Sequence, residues 1–359
     1  MLSIKRQHLF LAAIAATLIA GSVLTGYFVF SDQPQVLPLV KAGELAASTP
    51  NCERRRWLDG ICLAAGEESP LAVAMMIENH IDARPQSGLA DANFVIEAPV
   101  EGGVSRLLVV YLLDKDLPLI GPVRSARPYY LDWVKELGAL YGHVGGSEEA
   151  LQKINAYQIF DLNQYWQDKY FWREQSKSSP HNVYTSTAKL RAALADLNAS
   201  RSDAEAAVES WRFKDETSIN ERPSDYQVLS IKFSPQFVKE YTVDWFYQSA
   251  DNSYRCQQAD GSLNDDAGQP LLAKNLVAQF TAIEVMDDAG RRKIKTIGAG
   301  RALIFQDGQR IVGSWKKTSR ESRTRFYDSR GQEISFNAGL TWINVVPDDG
   351  QTVVETLVF

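Results

Sequence analysis

From Leu9 to Phe30 the chain reads LFLAAIAATLIAGSVLTGYFVF, without one charged side chain. About 20 apolar residues in a helix span a bilayer's hydrocarbon core, where every backbone N–H and C=O has to be satisfied within the segment. A single membrane-spanning helix is therefore expected over 9–30. Lys5 and Arg6 precede it and Asp32 follows, a charge bias that keeps the N-terminus cytoplasmic and sends the rest across. A cleaved signal peptide is the competing reading, with a cut near Ala20-Gly21-Ser22. The apolar run continues well past that point, which favours an uncleaved signal anchor. No cysteine closes the run, so lipid attachment there is not expected. The expected location is the cell membrane, single-pass, with the body extracytoplasmic.

Export to an oxidising compartment makes the cysteines readable. Cys52 and Cys62 bracket NCERRRWLDGIC, a short loop expected to be closed by a disulfide. Cys256 is left over and reads as a small buried apolar residue.

The expected division is 1–31 for the cytoplasmic tip and anchor, 32–70 for a linker holding the Cys52–Cys62 loop, 71–212 and 224–359. In 71–212, LAVAMMI, NFVIEAPV, VSRLLVVYLL, ALYGHVG and QIFDL read as strands. Helical stretches alternate with them: one after Ser125, EEALQKINA capped by Ser147, and AKLRAALADL opening at Thr187. That alternation predicts an α/β layered domain. In 224–359, short β-type runs such as YTVDWFYQ and RALIFQDGQRIVGSWKK are joined by DG, AG and RG turns, which predicts a mainly antiparallel β-rich domain. The class is α+β overall. A formal net charge of −6 argues against nucleic acid as a partner.

The chemistry-bearing side chains crowd into loops of 71–212. In IGPVRSARPYY the spacing of Tyr130, Val134 and Leu137, with Gly138 as a stop, predicts a helix capped by Ser125. Arg124 and Arg127 would then flank a helix N-terminus, where cations are disfavoured. An external phosphate or carboxylate held by free N–H groups and guanidinium forks would explain them. So would an internal carboxylate, with Glu97, Glu101 or Asp132 as the partner. Glu97 and Glu101 share strand parity if the chain stays extended through Pro99, and two carboxylates beside arginines suit base or orienting roles. His143 and His181 sit in loops, where a proton shuttle is chemically reasonable. No HExxH, CxxC, Walker or dinucleotide pattern occurs, and no metal or cofactor is expected.

The runs ARPQSGLADANFVIEAPVEGGVSR, IGPVRSARPYY, HVGGSEEA and PHN, followed by GRRKIKTIGAGRALIFQDGQRIVGSW and GLTWINVVP, resemble the YerB-like bacterial envelope lipoproteins, a family of unknown function. The resemblance covers about 71–347 and implies a two-domain extracytoplasmic protein held at the membrane. It implies no activity. The missing lipidation cysteine is a departure from the family, and the Cys52/Cys62 loop is another.

Three functions are open at this level. The first is binding of an anionic cell-envelope ligand by Arg84, Arg106, Arg124, Ser125 and Arg127, with His143, His181 and Asn182 lining the pocket. The second is a phosphotransferase or hydrolase acting on lipid-linked phosphates, with catalytic candidates Glu97, Glu101, His143 and His181 and with Mg²⁺ as helper. The third is a non-catalytic scaffold for cell-wall synthesis or division proteins. A binding role is preferred over catalysis.

Overall fold

The computed structural model describes residues 52–197, 209–223, 227–233, 240–258, 261–262, 264–348, 352 and 354–358. The membrane segment expected at 9–30 lies outside them. Among the described residues no helix is long and apolar enough to cross a membrane. Residues 52–359 form one compact unit.

A ten-stranded mixed sheet runs through that unit. Its strands are β1 Val73–Glu78, β2 Phe94–Pro99, β3 Ser105–Tyr111, β4 Leu140–His143, β5 Asp161–Asn163, β6 Asn275–Thr281, β7 Gly298–Gln306, β8 Gln309–Lys317, β9 Arg325–Asp328 and β10 Thr341–Pro347. They lie in the order β9-β8-β7-β6-β10-β2-β3-β1-β4-β5. β2 pairs in parallel with β10 from Phe94↔Thr341 to Glu97↔Asn344. The sheet therefore takes five strands from 71–212 and five from 224–359 and is continuous between them.

Burial on both faces explains the near-continuous apolar runs. Every residue of β1 and of β3 is buried, as central strands covered on two sides require. Side chains alternate faces along a strand, so Val73, Met75, Ile77, Val95, Leu107 and Val109 enter one core. Ala74, Met76, Phe94, Ile96, Leu108 and Val110 enter the other. The second core is covered by helices α1 Tyr130–Leu137 and α2 Glu148–Ala156. A smaller antiparallel sheet, built from 227–232, 242–248, 253–258 and 354–358 with two short flanking strands, covers the first. The helix α3 Thr187–Asp196 adds Leu190 and Ala193 to that side. Along 242–248 alternate residues are buried, and Trp245 meets Trp342 of β10 with ring centroids 5.2 Å apart.

Local signals hold where they rest on short-range chemistry. Ser147 caps α2 by accepting from the Ala150 N–H at 3.3 Å, and α1 stops at Gly138, φ 55°. The β7–β8 hairpin turns at Asp307 (φ 53°) and Gly308 (φ 69°), the positive-φ pair that a two-residue turn with right-handed twist demands. Cys52 and Cys62 form a disulfide with Cα atoms 5.6 Å apart. Leu58 and Asp59 of that loop are buried, with Asp59 ion-paired to Arg56. Cys256 is buried, and burial pushes its thiol pKa up.

One expected boundary is corrected. Ser125 does not cap a helix; α1 begins at Tyr130. The preceding backbone is already committed to extended pairing. Val123 N–H donates to Val183 O at 2.7 Å, Arg124 N–H to Met76 O at 2.8 Å and Ala126 N–H to Gly145 O at 3.0 Å. A segment whose N–H groups are spent sideways cannot enter a helix.

Candidate functional site

Four parallel-running strands, β1, β2, β4 and β5, present their carboxyl ends at one edge of the sheet, beside the start of the antiparallel β3. Ligands of open α/β sheets bind at such ends. Glu78, the last residue of β1, sits directly opposite Arg106 of β3. Both side chains share the face covered by α1 and α2 and both residues are buried. The paired tyrosines of IGPVRSARPYY close this end. Tyr129 Oη donates to Pro99 O at 2.9 Å and Tyr130 Oη lies 2.6 Å from Arg106 O.

The arginines of that motif find internal carboxylates. Arg124 ion-pairs with Glu78. Arg127 Nε donates to both oxygens of Glu101 at 2.7 and 2.9 Å. Glu101 lies in a turn that uses Gly102 at φ 72° and Gly103 at φ 73°, which aims its carboxylate back at Arg127. Burial would raise the Glu101 pKa, but Arg127 brings it below the ordinary carboxylate value. Of the internal partners open from sequence, Glu101 is used for Arg127. Asp132 instead holds Arg320 at 2.7 Å.

Arg106 is different. Its Nη1 donates to Ser125 O at 2.7 Å, its Nε has no partner, and it is ion-paired with no carboxylate among the described residues. Burial, and then the neighbouring Arg127, lower its pKa. Three guanidinium groups thus meet two carboxylates, and Arg106 has only the longer-range attraction of Glu78 and Glu101 in place of an ion pair. A buried cation without a direct ion pair is costly, and a bound anion would offset that cost.

The other expected residues are distributed around this cluster. Glu97 lies on the opposite face of the sheet from Glu78, so Glu97 and Glu101 do not share a side as extended parity predicts. The strand ends at Pro99 and the chain turns. Glu97 accepts from Ser105 Oγ at 2.5 Å, and from Asn79 Nδ2 and Trp342 Nε1 at 3.1 Å each. Burial nevertheless raises its pKa. It lines a cavity of about one water's size with Asn79, Cys256, Gln258 and Trp342.

Arg84 donates from Nε to Asn79 Oδ1 at 3.1 Å and from Nη1 to Glu240 O at 2.7 Å, tying its loop to the smaller sheet. His143 is fully buried between Gly145 O (2.7 Å from Nδ1) and Asp161 Oδ1 (2.6 Å from Nε2). Gly145 needs its positive φ of 56°, and an added Cβ would meet the Tyr165 ring at 2.6 Å. His181 reaches Glu78 Oε2 from Nδ1 at 3.1 Å. The two histidines therefore have different partners. Asn182 accepts from Arg173 at 2.7 Å and donates to Glu174 O at 3.3 Å, bracing the hairpin formed by 172–173 and 183–184.

Sequence reasoning missed Glu78 and His80. Glu78 closes the run LAVAMMI and keeps the parity of Ala74 and Met76, so extending the strand by one residue would have placed it on a buried face. His80 stacks on His181 with ring centroids 5.0 Å apart, a contact with no signal at that sequence separation.

Two family models match the chain, described as the N-terminal and C-terminal domains of DUF3048, a protein of unknown function, over residues 61–200 and 232–343. The chain is similar to the Putative lipoprotein YerB of Bacillus subtilis (strain 168), 30% identical over 290 residues that cover 77% of this chain and 81% of the relative. Its fold is similar to the crystal structure of the YerB protein from Bacillus subtilis. The TM-score is 0.72 at 26% identity, covering 84% of this chain and 99% of the other.

Proposed function

We propose that this chain, which belongs to the DUF3048 family, is a membrane-held extracytoplasmic protein that binds a phosphate- or carboxylate-bearing envelope ligand at the Arg106–Arg124–Arg127 cluster. The buried charge of Arg106 carries this reading: among the described residues its Nε has no hydrogen-bond partner and no carboxylate forms an ion pair with it. Arg124 and Arg127 keep part of their side chains at the surface, so an incoming anion meets two forks already oriented by Glu78 and Glu101. Bidentate guanidinium forks match the oxygens of phosphate and carboxylate. The site sits at the carboxyl ends of parallel strands, the usual place for a ligand on such a sheet. Membrane attachment through 9–30 belongs to the same proposal, supported by the apolar run and by the printed name of the lipoprotein relative.

The test is thermal unfolding of the full chain in detergent with inorganic phosphate, pyrophosphate or a dicarboxylate, for wild type and Arg106→Gln. A ligand at about 100 times its Kd adds roughly 2.7 kcal/mol to stability. The proposal expects one of these anions to raise the wild-type melting temperature and Arg106→Gln to abolish the shift. No shift in wild type with any of them, or an equal shift in Arg106→Gln, overturns it. The first of those outcomes turns the search to a partner protein of the cell-wall machinery.

A further inference from the structure

Beside the guanidinium cluster lies a second group of side chains that the anion site does not use. His80, Asp82 and His181 each bring one donor atom to within 4.8 Å of the others. His80 Nδ1 and Asp82 Oδ2 are 3.4 Å apart, close to the edge of a tetrahedron with bonds of about 2.0–2.1 Å around zinc. His80 Nδ1 accepts the Asp82 backbone N–H at 3.3 Å, so this nitrogen carries a lone pair rather than a proton, and a bound ion would take over the lone pair now spent on that cap. His181 is oriented from behind, its Nδ1 3.1 Å from buried Glu78 Oε2. That contact commits Nδ1 as the donor and leaves Nε2 with its lone pair. A histidine whose other nitrogen is fixed by a carboxylate is the usual outer-shell support of a zinc ligand.

We infer that His80, Asp82 and His181 form a site for a zinc-class divalent ion, with Glu78 as the positioning residue and a water completing the coordination. Two imidazoles and one carboxylate favour a borderline ion over Mg²⁺, which prefers oxygen-rich octahedral shells. Closing the site requires His181 or its partners to approach by roughly 1.5 Å, given bonds of about 2 Å. His80 and Asp82 are exposed enough to turn, with side-chain exposures of 37% and 68%. The spacing His80-x-Asp82 with a distant His181 matches none of the short metal motifs, which is why no sequence pattern announces it.

The experiment is isothermal titration of Zn²⁺ into the full chain in detergent, with imidazole ¹⁵N spectra recorded alongside. The chain has four histidines, so the spectra read directly which rings bind. One ion per chain with a Kd of roughly micromolar order is expected. Shifts should be confined to His80 and His181, with weakening of at least about tenfold in His80→Ala and in Asp82→Asn. Excess Mg²⁺ should not displace the ion. Asp82 is largely exposed, so Asp82→Asn should melt like wild type without metal, whereas His80→Ala also gives up its stack on His181 and its bond from the Asp82 N–H. Binding that survives His80→Ala unchanged, shifts on other histidines, or a wild-type Kd weaker than about 1 mM would overturn the inference. Because the readout is Zn²⁺ itself, failure here leaves the phosphate test of the arginine cluster untouched.

Discussion

Replacing Glu78 with glutamine should both destabilise the protein and sharpen its response to anions. The Glu78 side chain is 4% exposed, pairs with Arg124 and holds His181, and it faces Arg106 across the sheet. Removing one partner of a buried ion pair costs about 3–5 kcal/mol, because the other charge is left uncompensated. Arg124 keeps 25% of its side chain in water, which screens part of the loss. The lower end, about 3 kcal/mol, is therefore expected. Urea unfolding followed by tryptophan fluorescence measures it directly. In Glu78→Gln two of the three guanidinium groups lack a carboxylate, so phosphate should restore more stability to the variant than it adds to wild type. A loss below about 1 kcal/mol, the range of a solvated surface pair, would show that Glu78 does not neutralise a buried cation. Equal phosphate effects on both proteins would remove the arginine cluster as the place where the anion acts.

The fully buried triad of Glu136 on α1 with Lys317 and Arg323 should be more sensitive still. Glu136 holds Lys317 Nζ at 2.6 Å and Arg323 Nη1 at 3.3 Å, and burial pulls the Arg323 pKa down to about 10 against the support of Glu136. Glu136→Gln should cost about 3–5 kcal/mol in denaturant unfolding, and adding Lys317→Met should recover part of it; no recovery would show that the two charges are not coupled. Glu97 should act through pH. Burial raises its folded pKa, so its contribution is complete below the unfolded value of about 4.3 and is lost as pH rises through the folded one. Melting temperatures from pH 4.5 upward should therefore fall less steeply in Glu97→Gln than in wild type, and parallel curves would refute this.

What could be read along the chain is what depends on neighbours in sequence. The parity of VAMMIE and SRLLVVY gives two buried strand faces because side chains alternate every residue. Asp307-Gly308 makes its hairpin, Ser147 its cap and Gly138 its stop because each acts within four residues. The Cys52–Cys62 bridge follows the same short-range logic. Tertiary structure decided the rest. Only the parallel pairing of Phe94–Glu97 with Thr341–Asn344 joins the two halves into one sheet, and no local propensity specifies that partner. Ser125 carries every local mark of a helix cap, yet Met76, Gly145 and Val183 claim the backbone bonds around it. Arg124 could be seen to need an anion, but that Glu78 supplies it depends on where β1 ends in space. His80 and His181 lie 101 positions apart and still stack. Periodicity reports which face a residue takes; which charge it meets there is set by chain crossings that a one-dimensional pattern does not encode.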